Sequence, residues 1–392
     1  GVAAFTLASL LCGLAPSIET LIGARLLQGI AGAAMVPQVL AIIAVLFPPQ
    51  EKPMAFSLFG VISSLASVAG PLIGGALISA DLFGLEWRVI FLINPPLGAL
   101  VLIESRVFLP KMPANPAIKL DWVGIGLFGT TAVLAVFPLI EGRAFGWPWW
   151  IIAMLVLMPI AAIAFYLWER RQAAAGGAEL VPAHLLANRP FIFGLVTVTS
   201  FFSAIPGLFL VLAVMLQTGF GMSPLQSGLT TMPFPAGVMI ASLLSGRLGS
   251  SHLRQRVGLG SLLMAFGMTW LHVALWSLGA PINVFSLTAP LLLCGLGMGV
   301  AISALFQSLM SGVPAQDSGA ASGALQAFQH VGGALGIAIT GQMFFSTLGT
   351  ATAPVQFATA AAYATWYQMI VLALIALASL IVSLRKHAPI AT

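Results

Sequence analysis

GVISSLASVAGPLIGG occupies Gly60–Gly75, inside an apolar run from Ala55 to Ile78 that holds no charged side chain. A run of about 20 apolar residues is long enough to cross a bilayer as a helix. Here Gly60, Ser63, Ser64, Ala66, Ser67, Ala69, Gly70, Gly74 and Gly75 give the run a nearly bare face. Bare faces allow two helix backbones to approach closely, which is how helices associate in lipid. Pro71 removes a backbone donor, so the helix is expected to bend or loosen there. Two readings stay open at this point: a tightly packed, kinked span with no further role, or a helix whose deformability is used.

Working outward, the whole chain shares this character. Of 392 residues, 59% are hydrophobic and only 6% are charged. Soluble domains carry about 25% charged residues, so a water-soluble fold is excluded and an all-α polytopic membrane protein is expected. The net charge of +5 is no nucleic-acid signal, because the basic residues fall in loops, where they report topology. Cys12 and Cys294 both lie in apolar runs and read as small buried residues, with neither a disulfide framework nor a metal site.

Twelve apolar runs are separated by short polar or Gly/Pro-rich breaks. They fall near residues 1–15, 21–47, 55–78, 87–103, 122–140 and 147–168, then 191–216, 225–244, 257–278, 284–313, 320–348 and 358–384. Alternate breaks hold Lys52; Arg106, Lys111 and Lys119; Arg170, Arg171 and Arg189; and Arg247, Arg254 and Arg256, while the opposite set holds only Arg88 and Arg143. Cytoplasmic loops carry the Lys/Arg excess, which assigns the first set, and both ends of the chain, to the cytoplasm. Residues 1–104 read as an N-terminal bundle, 105–190 as a linker with an extra helix pair, and 191–392 as a C-terminal six-helix bundle.

Chemistry-bearing residues inside the runs are few. Arg25 is the one Lys or Arg well within a run. It reads either as a side chain reaching the outer surface toward Glu19 or as a cation facing a cavity. No Asp or Glu lies near the middle of a run, and Asp121 and Asp317 sit where they cap the helices that follow. His272 and His330 are the titratable groups left. Gln326 and His330 are four residues apart, on one helix face, and with Gln329 they read as polar glue or as a titrating, substrate-contacting set. Gln28 and Gln307 are further candidate cavity residues. No HExxH, GxSxG, Walker loop or paired intramembrane carboxylates occur, so an enzyme is not expected.

Several of these stretches resemble one family. LIGARLLQGIAGAA (Leu21–Ala34), with Arg25, Gln28, Gly29 and Gly32 in register, resembles the fourth-helix motif of the major facilitator superfamily. The Gly60–Gly75 stretch resembles its antiporter motif, matched at Gly60, Gly70, Pro71, Gly74 and Gly75, with Ala66 where Gly is usual. EWRVIFLINPPLG (Glu86–Gly98), LQTGFGMSPLQSGLTTMP (Leu216–Pro233) and SGALQAFQHVGGALG (Ser322–Gly336) are similar to its 14-span drug:proton antiporter branch. The resemblance implies a major facilitator fold of two bundles joined by the extra pair. The two motifs fall in the second and third runs, so about twelve spans of a 14-span parent are expected here, without its first two helices.

What the resemblance implies is secondary-active export of hydrophobic or cationic drugs in exchange for protons, across a bacterial inner or plasma membrane. Arg25 and His330 are its coupling candidates, Gln28, Gln307 and Gln326 its cavity candidates. Its partners are the small-molecule substrate, protons and the bilayer, with a periplasmic adaptor protein as a further one; no nucleic acid, metal or cofactor is expected. The alternatives are a transporter of another metabolite in the same superfamily, and a non-transporting truncated or accessory membrane protein.

Overall fold

In the computed structural model, residues 1–80, 82–108, 121–142, 145–177, 179–249, 251–278, 283 and 285–385 are described. Lys111, Lys119 and Arg143, used above for topology, lie outside them. Among the described residues, ten helices are long and apolar enough to cross a membrane. With α1 (Val2–Gly13), α2 (Ile18–Leu46) and α3 (Lys52–Ser79) at the start, the series continues with α4 (Glu86–Phe108), α5 (Trp122–Glu141), α6 (Trp149–Ala175) and α7 (Arg189–Gly219). It ends with α8 (Pro224–Arg247), α9 (Leu253–Trp276), α10 (Phe285–Met310), α11 (Ser318–Leu348) and α12 (Pro354–Arg385). All twelve apolar runs are therefore helical. Of the twelve, α1 is a helix of only 12 residues.

Proline sets the interruptions. The helical path of α4 breaks at Ile93 ahead of Pro95 and Pro96, that of α7 at Ala204–Ile205 ahead of Pro206, and that of α8 at Met232 ahead of Pro233. Each proline lacks an N–H, so a carbonyl one turn earlier loses its helical bond there. The backbone of α3 stays helical through position 71. The side chains of Ser64, Ser67, Ala69 and Pro71 lie outside what is described.

The chain divides into two compact units, Gly1–Ile42 with Ala69–Ile118, and Ile43–Val68 with Lys119–Thr392. In the first unit α1 lies on α4. Ser9 Oγ donates to Phe91 O at 3.1 Å, Asn94 Nδ2 donates to Ser9 Oγ at 2.8 Å, and Cys12, Ala24 and Phe91 form the buried core. In the second unit α10 is the central helix: 72% of its most apolar stretch is buried, against 6% for α6.

Glycine explains how α10 reaches that position. Its segment LLLCGLGMGV alternates faces. Gly295 and Gly299 meet the α8 backbone at Phe234 and Val238, whereas Gly297 meets the α9 backbone at Gly260 and Met264. A Cβ placed on Gly297 would lie 2.6 Å from Gly260 O, and one on Gly260 would lie 2.6 Å from Gly297 O. Gly332 and Gly336 bring α11 onto Thr199 and Ser203 of α7 in the same way. Lipid tails are as apolar as the side chains, so close van der Waals packing must hold such helices together. The free thiols Cys12 and Cys294 are both fully buried, one in each unit.

The pair α5–α6 is joined by Phe128 against Phe165, with ring centroids 5.4 Å apart, and Phe128 also reaches Phe328 of α11 at 6.4 Å. Its ends are fixed by Asp121, which caps α5 as expected: Asp121 Oδ1 accepts from Gly124 N at 2.9 Å, and Trp168 Nε1 of α6 donates to the same carboxylate. Asp317 differs from expectation. It occupies the N-cap position of α11 but its side chain makes no capping bond. Oδ2 turns instead to His184 Nε2 at 3.1 Å. The His184 imidazole, on the short helix Ala183–Ala187, takes the place of the backbone N–H groups that the sequence pattern offered.

Candidate functional site

Arg25 stands on α2 three residues before Gln28, and that spacing puts both on one face. Arg25 Nη1 donates to Gln28 Oε1 at 3.0 Å, and the guanidinium carbon lies 4.2 Å from the Phe91 ring centroid. Gln28 is 6% exposed and also accepts a weak bond from Cys12 Sγ at 3.7 Å. Phe91 meets Trp87 edge-on at 5.9 Å, and Trp87 in turn carries Arg88 at 4.6 Å. Arg88 Nη2 donates to Ala15 O at 3.2 Å. Arg25 is thus held by a neutral amide and an aromatic face. Among the described residues no ion pair joins it to Glu19, and Arg25 is exposed, so both readings of the sequence stay open. A cation over an aromatic face gains about 0.5–2 kcal/mol, more as it is desolvated, so the charge is stabilised without being neutralised.

The glycines of the antiporter motif are not equally packed. A Cβ on Gly60 would lie 3.3 Å from Ile302 Cγ2 of α10, a tight fit. On Gly74 it would meet Ile90 Cδ1 at 3.9 Å, an ordinary contact, and on Gly70 it would find nothing within 4 Å. The bare face is therefore filled at its Gly60 end and open at Gly70.

The polar set on α11 is divided. Gln326 is 6% exposed, Gln329 is half-buried with Oε1 lacking a partner, and His330 is exposed. None of the three makes an inter-helix hydrogen bond among the described residues. Such bonds are made elsewhere. Tyr367 Oη donates to Ser203 Oγ at 2.8 Å and Gln368 Nε2 donates to Thr340 Oγ1 at 2.9 Å, tying α12 to α7 and α11. The polar pair inside TWYQMIV was the available signal for them. His272 is a packing residue, as its isolation suggested. With Nδ1 donating to Ala362 O at 2.9 Å, its Nε2 accepts from Trp276 Nε1 at 3.0 Å, and Trp366 covers the ring.

Arg256 is the functional-looking residue that the sequence did not single out. Only 6% exposed, it donates from Nη1 to Gly249 O and from Nη2 to Ser245 O, both at 2.7 Å, and reaches Ser245 Oγ and Ser303 Oγ. It fastens the turn between α8 and α9 to α10. Nearby, Gln307 lines a pocket of about 310 Å³ with Lys52, Phe56, Met310 and Val313.

A family model described as Major Facilitator Superfamily matches residues 1–124 and 122–337. The chain belongs to this superfamily. Among its relatives, the probable actinorhodin transporter of Streptomyces coelicolor is 36% identical, aligned over 91% of this chain and 62% of that protein. Multidrug resistance protein Stp of Mycobacterium tuberculosis is 32% identical over 90% of this chain and 64% of the relative. The tetracenomycin C resistance and export protein of Streptomyces glaucescens is 32% identical over 89% and 63%. The chain thus spans less than two thirds of the length of these superfamily members. A solved structure, that of an auto-inhibited POT family peptide transporter, shares the fold with a TM-score of 0.54 at 18% identity, covering 98% of this chain and 81% of that one.

Proposed function

We propose that the protein to which this chain belongs is a secondary-active exporter of hydrophobic small molecules, of the 14-span drug:proton antiporter branch. The observation that carries the reading is Arg25, a guanidinium on an apolar helix that is held by Gln28 and Phe91 and has no carboxylate partner among the described residues. An intramembrane charge without a counter-charge is a costly feature, kept where an ion or substrate passes. The names of the relatives, an actinorhodin transporter and a tetracenomycin export protein, support the direction of transport.

In this reading the bundles 1–104 and 191–392 rock about a central site, with 105–190 as linker and extra pair. Arg25 is the electrostatic partner of the proton or substrate site, and His330 is the titratable group on α11. Gln28, Gln307 and Gln326 line the path. Gly60, Gly70, Pro71, Gly74 and Gly75 let α3 change its packing between states. Both ends of the chain lie in the cytoplasm of a bacterial cell.

Efflux of a fluorescent apolar dye from cells making the complete protein tests this. Arg25→Ala is expected to abolish export while membrane insertion and protein level stay unchanged, and Arg25→Lys to retain part of it. Export by Arg25→Ala at the parental rate removes the role given to Arg25.

A further inference from the structure

The second unit contains a built pocket on the face that carries Lys52 and Arg254. Ala44, Pro49, Lys52 and Phe56 close it from one side, Gln307, Met310 and Val313 from another. Its volume of about 310 Å³ is at the lower end of the roughly 300–1,000 Å³ of ligand sites. A second pocket of about 500 Å³ shares Leu253 and Ser311 with it and adds His252 and Arg254. Neither is lined by an Asp or Glu among the described residues. Glu51, next to Lys52, is exposed and outside the lining, and Asp317 is turned to His184.

Cations at this face follow from topology alone. Gln307 does not. It is 4% exposed, it lines the pocket, and its Nε2 has no hydrogen-bond partner. A buried donor left unmade costs about 1–3 kcal/mol, and of the buried atoms without a partner Gln307 Nε2 belongs to a residue that lines this pocket beside a lysine. Lys52 is half-buried and has no ion pair among the described residues. An unused amide donor, an unpaired ammonium and apolar walls of Phe56, Met310 and Val313 together fit one kind of molecule.

We infer that this pocket binds the acidic end of an anionic amphiphile, with Lys52 and Gln307 on the acid oxygens and Phe56 and Met310 on the apolar body. The chemistry is common to a free organic acid and to an anionic lipid headgroup. It is the opposite of the cation preference that the family resemblance suggests. The inference does not rest on export, since binding is read without a gradient.

The chain is placed in phosphatidylcholine nanodiscs, with protein-free discs as the blank, and titrated calorimetrically with dodecanoate, dodecyltrimethylammonium and inorganic phosphate. Saturable binding of dodecanoate is expected, with none of the ammonium analogue and at most weak binding of phosphate. Lys52→Gln should weaken dodecanoate about tenfold or more, the scale of one charge-assisted hydrogen bond, and Lys52→Arg should restore it to within a few-fold. Gln307→Leu should weaken it several-fold with little loss of thermal stability, because its Nε2 makes no bond to lose. Repeating the titration in phosphatidylglycerol discs separates the sources: competition assigns the pocket to lipid headgroups, and its absence to free acids. Equal binding of both amphiphiles overturns the inference, as does unchanged affinity in both Lys52→Gln and Gln307→Leu while the variants remain folded.

Discussion

Gly260→Ala probes the glycine seam around α10. The new methyl carbon would sit 2.6 Å from Gly297 O, 2.7 Å from Ala301 N and 2.8 Å from Ala301 Cβ. Ordinary contact begins near 3.4 Å, so α9 and α10 must separate by 3.4 − 2.6 = 0.8 Å at this point. Neither near neighbour is a flexible side-chain tip that can swing aside. Overpacking of this kind costs about 1–3 kcal/mol. Alanine also favours the helix by about 0.5–1 kcal/mol over glycine, which partly masks the loss. Gly126→Ala on α5 isolates the packing cost, because it gains the same propensity and its added carbon meets nothing within 4 Å. The two purified variants are compared by thermal melting in one detergent. Gly260→Ala should melt below Gly126→Ala by the equivalent of about 1–3 kcal/mol, a few °C. Equal melting temperatures would mean that the seam yields without cost and that the backbone contact does not hold α9 on α10.

Three further outcomes follow from other sites. Asp121→Ala removes the cap of α5 and the acceptor for Trp168 Nε1, and should cost about 0.5–2 kcal/mol and shift the tryptophan emission; melting followed by fluorescence checks both. Arg256→Ala leaves Gly249 O and Ser245 O without their charged donor and should cost about 3 kcal/mol or more, two bonds of about 1.5–3 kcal/mol each, seen as a lower melting temperature and a proteolytic cut in the α8–α9 turn. Gly70→Ala finds open space, so it should melt at or slightly above the parent, by the helix propensity of alanine; if the motif serves another state of the cycle, dye efflux should nevertheless fall, and parental efflux would count against that use.

The helices were legible because each span is a long apolar run between cation-bearing breaks, a signal that the absence of water in the bilayer makes strong. Asp121 was legible for the same local reason, a capping acid before an apolar run. Asp317 looked identical in sequence. Its side chain is taken by His184, 133 residues away, and no local pattern carries that. The tight seams were harder to place. GVISSLASVAGPLIGG offered a bare face for close helix contact, but the close approaches to neighbouring backbone include Gly237, Gly260, Gly295, Gly297 and Gly299 around α10 and Gly207, Gly332 and Gly336 between α7 and α11. A small residue permits approach, and only the partner's position decides whether it happens. Arg25 with Gln28 was readable from the three-residue spacing, while the Phe91 partner lies on α4. Arg256 went unnoticed because its ligands are backbone carbonyls and serines, which leave no charge pattern to find.

Cys12 and Cys294 give the molecule two internal clocks. Each thiol is sealed in its own unit, Cys12 beside Gln28 and Cys294 against the α9 backbone at Met264. A membrane-permeant maleimide can react only when the helices around a thiol part, so each modification rate counts openings of one unit alone. A substrate or a variant that loosens one half and not the other would therefore advance one clock and leave the other unchanged.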